Sequence, residues 1–154
     1  MEDIEICMAT GKDREQLMEY FSHYNSNEII KNRIDCYTSH NCTIIAKHKN
    51  KIVGTLQWYL KESPKLGVVE FEEMHVLEDY RGKGIASSMI IFAINSVKDF
   101  FKKIHVKPRR IFLFVSEKNK IARRLYEKHG FQKSSDVGNL MSDNENELIY
   151  SLKL

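Results

Sequence analysis

The spacing of apolar and polar positions along the chain predicts an ordered series of strands and helices. Ile4 to Ala9 reads as a first strand, and helical segments follow at about Asp13 to Tyr24 and about Asn27 to Tyr37. Cys42 to Ala46 and Ile52 to Leu60, rich in β-branched and aromatic residues, predict two strands joined as a hairpin by the polar stretch Lys47 to Lys51. Ser63-Pro64-Lys65-Leu66-Gly67 then breaks the chain before a strand at Val68 to Val76. Beyond it, Ile85, Met89, Ala93, Val97 and Phe101, with Ala86, Ile90, Ile94, Phe100 and Ile104 on the adjoining row, recur at the helical period. That helix needs a sheet under one face. Ile111 to Val115 is a continuous apolar run, as expected of a strand buried on both sides. A shorter helix, about Lys120 to His129, ends at Gly130, which suits a left-handed residue after the helix with Phe131 folding back. Phe131 to Ser134 and Glu147 to Leu152 complete the strands around a polar loop, Asp136 to Asn146. The expected fold is mixed α+β, with one central, mostly antiparallel sheet of six to seven strands and about four helices.

Between the strand at Val68 to Val76 and the long helix lies Arg81-Gly82-Lys83-Gly84-Ile85-Ala86. Glycines at 82 and 84 let the backbone turn tightly and aim successive N–H groups at an anion, and the helix that starts there adds its positive dipole end. A pyrophosphate-bearing molecule fits such a turn. A Walker A loop would need Lys-Ser/Thr after the second glycine, and here the lysine stands between the glycines. A dinucleotide fingerprint would need a third glycine further on and a place in the first strand-helix unit.

Composition changes this picture little. The 154 residues suit one domain, 1–154, with 29% charged and 42% apolar residues and no apolar run of membrane-spanning length. The acidic start, Met1-Glu2-Asp3-Ile4-Glu5, lacks a signal-peptide pattern, so a cytoplasmic protein is expected. Cys7, Cys36 and Cys42 have neither metal-ligand nor disulfide spacing and read as reduced thiols, and no metal is expected. A net charge of +3 is too small to indicate nucleic acid. The cluster of Lys102, Lys103, Lys107, Arg109 and Arg110 reads as a solvated face at a helix C-terminus.

Taken with Asn119-Lys120-Ile121-Ala122-Arg123-Arg124-Leu125-Tyr126-Glu127-Lys128-His129-Gly130-Phe131, the glycine turn resembles the signatures of the GNAT superfamily of acyl-CoA-dependent N-acyltransferases. Arg81-Gly82-Lys83-Gly84-Ile85-Ala86 matches the Arg/Gln-x-x-Gly-x-Gly/Ala signature, and the run from Asn119 to Phe131 matches the second, downstream. The resemblance implies acetyl-CoA as co-substrate, its pyrophosphate on the amides of Gly82, Lys83, Gly84, Ile85 and Ala86, with Arg81 and Lys83 adding charge. Ser87 would contribute a hydroxyl or a cap. The pantetheine arm would pair with the strand at Met74, His75 and Val76, as an added strand would.

The resemblance also implies a primary amine acceptor, a small molecule or a peptide, with no nucleic-acid or membrane partner and a homodimer left open. An amine with a pKa of about 10 must lose a proton before it attacks a thioester. Alternation along the strand places Glu70 and Glu72 on the face of Met74 and Val76, with Glu73 and His75 opposite. Both Glu70 and Glu72 match positions that act as base in branches of the family. Glu72 is the first choice, Glu70 the second, and a purely electrostatic role stays open. His75, facing away, reads as a packing residue.

Tyr126 matches the family's tyrosine and would donate a proton to the departing thiolate; its position equally makes it the helix-end residue against which Phe131 packs. Asn119 is a pantetheine contact by resemblance and a helix N-cap by position. The early-helix residues Tyr20, His23, Tyr24 and Tyr37 either line an acceptor groove or fill the core. The reading from another class is a catalytically silent CoA-binding sensor or interaction module of the same fold.

Overall fold

The computed structural model describes residues 3–22, 34, 42–141 and 143–154. Seven strands and three α-helices are found among them: β1 (Ile4–Met8), α1 (Arg14–Phe21), β2 (Thr43–His48), β3 (Lys51–Leu60), β4 (Val68–Val76), α2 (Ile85–Lys103), β5 (Arg110–Ser116), α3 (Lys120–Lys128), β6 (Gln132–Gly138) and β7 (Glu147–Lys153). The sequence predicts this order, with one further helix at about 27–37 that, Ile34 apart, lies outside the described residues, as do His23, Tyr24, Cys36 and Tyr37.

The strands form one sheet in the order β1-β2-β3-β4-β5-β7-β6. β1–β2, β2–β3, β5–β7 and β6–β7 are antiparallel, and β4–β5 is parallel. The β2–β3 hairpin turns more tightly than its polar stretch suggests: Lys49 and Asn50 both take positive φ, +47° and +67°, the pair of left-handed residues that matches strand twist.

The described residues group into two compact units, one of Met1–Trp58 with Glu73–Ala93 and one of Tyr59–Glu72 with Ile94–Leu154. In the first, Leu17, Ile44, Ile45, Ala46, Val53, Leu56, Met89, Ile90 and Ala93 are fully buried. Gly54 explains part of this packing. A Cβ there would come to 3.0 Å from the Met89 side chain and 3.2 Å from the His75 carbonyl oxygen, so the missing side chain is what lets helix and neighbouring strand approach. In the second unit Val69, Val97, Phe101, Ile111, Leu113, Phe131, Leu148 and Tyr150 form the core.

Two expectations need correction. Ile111 to Val115 is not buried on both sides: Ile111, Leu113 and Val115 are buried while Phe112 and Phe114 are half-buried. Those two rings shield each other edge to face, centroids 6.0 Å apart, so an aromatic pair supplies the apolar run that suggested full burial. The long helix ends before Ile104, which is 39% exposed, so the adjoining apolar row fades toward its C-terminal end. No helix among the described residues is long and apolar enough to cross a membrane.

Candidate active site

The turn from Arg81 to Gly84 is exposed along its whole length. Gly82 and Gly84 take φ of +72° and +79°, the left-handed region that residues with a Cβ enter at a cost, so glycine is needed at both positions. The space beside the turn is open: a Cβ on Gly82 would meet no atom within 4 Å. At the start of α2 Ser88 N–H bonds the Gly84 oxygen at 3.0 Å, which places the amides of Ile85 and Ala86 in the helix's first turn, ahead of the intrahelical ladder. Exposed left-handed glycines followed by helix-start amides are an arrangement that can present successive N–H groups to an anion.

The two cations of the turn are tied back to the protein. Arg81 donates from Nε to the Val76 oxygen at 2.9 Å, and its Nη2 lies 3.5 Å from His75 Nε2. Lys83 donates to the Asp79 oxygen at 2.8 Å and stands over the Tyr80 ring at 5.2 Å. His75 in turn sits against α1: its Nδ1 is 2.6 Å from the Tyr20 hydroxyl, and the two rings meet edge to face. Burial, then the neighbouring Arg81 charge, hold the imidazole below its ordinary pKa.

The alternation used to place the glutamates does not run the length of β4. Glu73 takes φ of +50°, and its carbonyl accepts from the Thr55 hydroxyl at 3.2 Å. A left-handed residue interrupts the pleat, so Glu70 and Glu72 cannot be carried onto the face of Met74 and Val76 by counting in twos. Met74 is half-buried and Val76 buried. Glu70 is 5% exposed and forms an ion pair with Lys61, which is thereby held above its usual pKa; Glu72 is half-buried. The β4–β5 ladder comprises Val68–Arg110, Val69–Ile111 and Glu70–Phe112, whereas Phe71 and Glu72 still belong to β4 and Leu113 to Ser116 to β5.

Tyr126 ends α3. Phe131 N–H bonds its carbonyl at 3.1 Å, Gly130 N–H bonds the Glu127 carbonyl at 3.0 Å, and Gly130 takes φ of +85°, which together form a Schellman closure. The Tyr126 ring packs on Phe131 with centroids 5.7 Å apart. Burial pushes the phenol up to about 12, and its hydroxyl makes no hydrogen bond to a described residue. Asn119 caps the other end of α3, its Oδ1 accepting from Ala122 N–H at 3.0 Å, which leaves its Nδ2 to reach anything else.

Several features gave no sequence signal. Tyr150 accepts from Arg123 Nε at 3.2 Å and donates to Glu127 at 2.8 Å, a network built on an i, i+4 pair of α3 but completed from β7. Gln57 and Thr43, paired across β2–β3, are fully buried with their polar atoms unbonded. Tyr20 lines a cleft of about 310 Å³ with Gln16, Glu19, Asn50, Lys51, Ile52 and Leu77. Lys102, Lys103, Lys107, Arg109 and Arg110 are all exposed. No cluster of three or more His, Cys, Asp or Glu among the described residues could hold a metal ion.

The sequence profile of the acetyltransferase (GNAT) family matches residues 8–131, and the chain belongs to that family. It is an acyltransferase; the family generally uses acetyl-CoA as co-substrate. Solved structures share the fold at low identity. A GNAT-family acetyltransferase from Streptococcus pneumoniae is 17% identical, with 99% of each chain covered and a TM-score of 0.80. A ribosomal-protein-alanine N-acetyltransferase from Brucella melitensis is 14% identical, covering 97% of this chain and 99% of its own, TM-score 0.79. A spermidine N-acetyltransferase chimera from Vibrio cholerae is 16% identical, covering 99% of this chain and 96% of its own, TM-score 0.77. Among curated proteins no sequence matches.

Proposed function

We propose that this chain, acting as one domain in the cytoplasm, transfers an acetyl group from acetyl-CoA to a primary amine, a small molecule or a peptide, by direct attack on the thioester. The observation that carries this reading is the open turn at Arg81 to Gly84, whose left-handed glycines, followed by the start of α2, suit a diphosphate. Gly82, Lys83, Gly84, Ile85 and Ala86 would hold that group, with Ser87 beside it, and the backbone of Met74 to Val76 would pair with the pantetheine amides. Acetyl-CoA supplies the activated acyl group.

Glu72 is the residue proposed to take the proton of the incoming ammonium, directly or through water. Glu70 is a weaker candidate because Lys61 already occupies its carboxylate. Tyr126 is proposed to supply the proton to the departing thiolate. A phenol with a pKa of about 12 remains a donor at every physiological pH, and no described residue takes up its hydroxyl. Two similar folds bear names that refer to ribosomal-protein alanine and to spermidine, so both acceptor classes belong in the test.

The test follows CoA release with acetyl-CoA and a panel of polyamines, amino acids, aminoglycosides and peptides, alongside calorimetric titration of acetyl-CoA. Binding with turnover on at least one amine is expected. Binding without turnover on any amine would favour a silent CoA-binding module, and absence of binding would remove the reading altogether.

A further inference from the structure

Arg81, His75 and Tyr20 make contacts whose direction follows from their chemistry. A guanidinium has only donors, so the His75 Nε2 that faces Arg81 Nη2 at 3.5 Å must present its lone pair. A neutral imidazole then carries its proton on Nδ1, which is 2.6 Å from the Tyr20 oxygen and donates to it. The Tyr20 hydroxyl has its own proton to place, and the His75 carbonyl oxygen lies 3.4 Å away to accept it. Arg81 meanwhile uses Nε on the Val76 oxygen at 2.9 Å. Under the Nδ1–H tautomer each of these protons meets an acceptor.

The rest of the environment supports that state. Tyr20 is 7% exposed and wedged edge to face between His75 and Phe21, with centroids at 5.7 and 5.2 Å, so α1 fixes the hydroxyl. Burial and then the Arg81 charge disfavour the imidazolium, while Glu73, the smallest influence of the three, favours it. Two contacts on a planar fork define its orientation, whereas one would leave it free to rotate about its stem.

From this geometry we infer that His75 and Tyr20 are positioning residues for the cofactor cradle: they hold the Arg81 guanidinium in one orientation beside the glycine turn through His75 in its Nδ1–H tautomer. This inference rests on the acetyl-CoA reading above. It explains why a strand histidine with no place in the proposed proton transfers sits next to the turn. It also gives α1 a part in cofactor affinity. His75 here acts through its ring, a role separate from the backbone pairing proposed for Met74 to Val76.

The experiment has two arms. In the first, 15N-resolved imidazole spectra of the unmodified protein at about pH 8 report the tautomer; Nδ1–H is expected, and an Nε2–H tautomer would overturn the inference. In the second, acetyl-CoA is titrated calorimetrically into the unmodified protein, His75→Gln, His75→Asn, Arg81→Gln and the double variants. Gln can offer an oxygen near the Nε2 position, so its affinity should stay within about twofold; Asn mimics only the Nδ1 side and should bind about five- to tenfold more weakly, as for loss of one oriented contact. In the Arg81→Gln background the difference between Gln and Asn should vanish. Equal affinities for His75→Asn and His75→Gln, or a difference that persists without Arg81, would overturn the inference while leaving the function intact. Absence of acetyl-CoA binding by the unmodified protein would overturn the functional reading and, with it, this one.

Discussion

The glycine turn ahead of α2 and the end of α3 offer opposite kinds of chemical group. At the turn the useful groups are backbone amides, and the two cations beside them, Arg81 and Lys83, are each oriented by a carbonyl of the protein. At the end of α3 the backbone closes on itself through the amides of Gly130 and Phe131, and the useful group is one side-chain hydroxyl, that of Tyr126. A backbone site needs glycines, which any reader of the sequence can see. A side-chain site depends on which hydroxyl lacks a partner, and that is decided by residues far away in the chain.

Tyr126 and Tyr150 put this contrast to its hardest test. Both are buried phenols of the second unit, but the hydroxyl of Tyr150 bonds Arg123 and Glu127 whereas that of Tyr126 bonds no described residue. Tyr126→Phe should therefore lower kcat by about 10²–10⁴-fold, with acetyl-CoA affinity and Tm nearly unchanged. Tyr150→Phe should do the reverse, lowering Tm by about 2–4 °C with kcat kept. Steady-state kinetics and thermal melts decide it, and equal kcat for the two variants would return Tyr126 to a structural role. The raised phenol pKa carries a sign as well. The acid form of Tyr126 persists below about 12, so this residue should give kcat no descending limb on the alkaline side up to about pH 10.

Gly82 and Gly130 sharpen the same contrast with a smaller effect. Both are left-handed, at φ of +72° and +85°, so an alanine at either should destabilise the fold by about 1–2 kcal/mol. Their surroundings differ. A Cβ on Gly82 meets open space, whereas one on Gly130 would come to 3.3 Å from the Leu152 side chain. Gly82→Ala should put its methyl where the anion belongs and weaken acetyl-CoA about 10- to 100-fold, the range for losing one hydrogen bond to a charged group. Gly130→Ala should leave that affinity unchanged. A Gly82→Ala protein that binds as tightly as the unmodified one would move the cradle elsewhere.

The element order was legible because it is written locally, in the 3.6-residue stripe of Ile85 to Phe101, the breaker at Ser63 to Gly67 and the glycine after His129. The two signatures located the turn and Tyr126 for the same reason. What sequence could not supply is non-local. The alternation argument for Glu70 and Glu72 assumed an unbroken pleat, and nothing in the identity of Glu73 announces a left-handed residue. The Lys61–Glu70 pair and the Tyr20–His75 contact join residues from different elements, so no spacing rule reaches them. Phe112 and Phe114 misled because mutual ring packing and full burial require the same apolar residues.

Asn119 carries the smallest effect, and its two readings can be separated because they use different atoms. Capping uses Oδ1, which accepts from Ala122 N–H at 3.0 Å; a contact with the pantetheine arm would fall to the amide nitrogen. Asn119→Ala removes both and should cost about 1 kcal/mol of stability. Asn119→Asp keeps a cap acceptor of equal quality, and its negative charge suits a helix N-terminus, so stability should be retained while the amide donor is lost. If Asn119→Asp binds acetyl-CoA as well as the unmodified protein does, Asn119 serves only the helix that presents Tyr126. If it binds about three- to tenfold more weakly with its Tm unchanged, the amide nitrogen reaches the cofactor, and one residue both starts that helix and contacts the thioester arm.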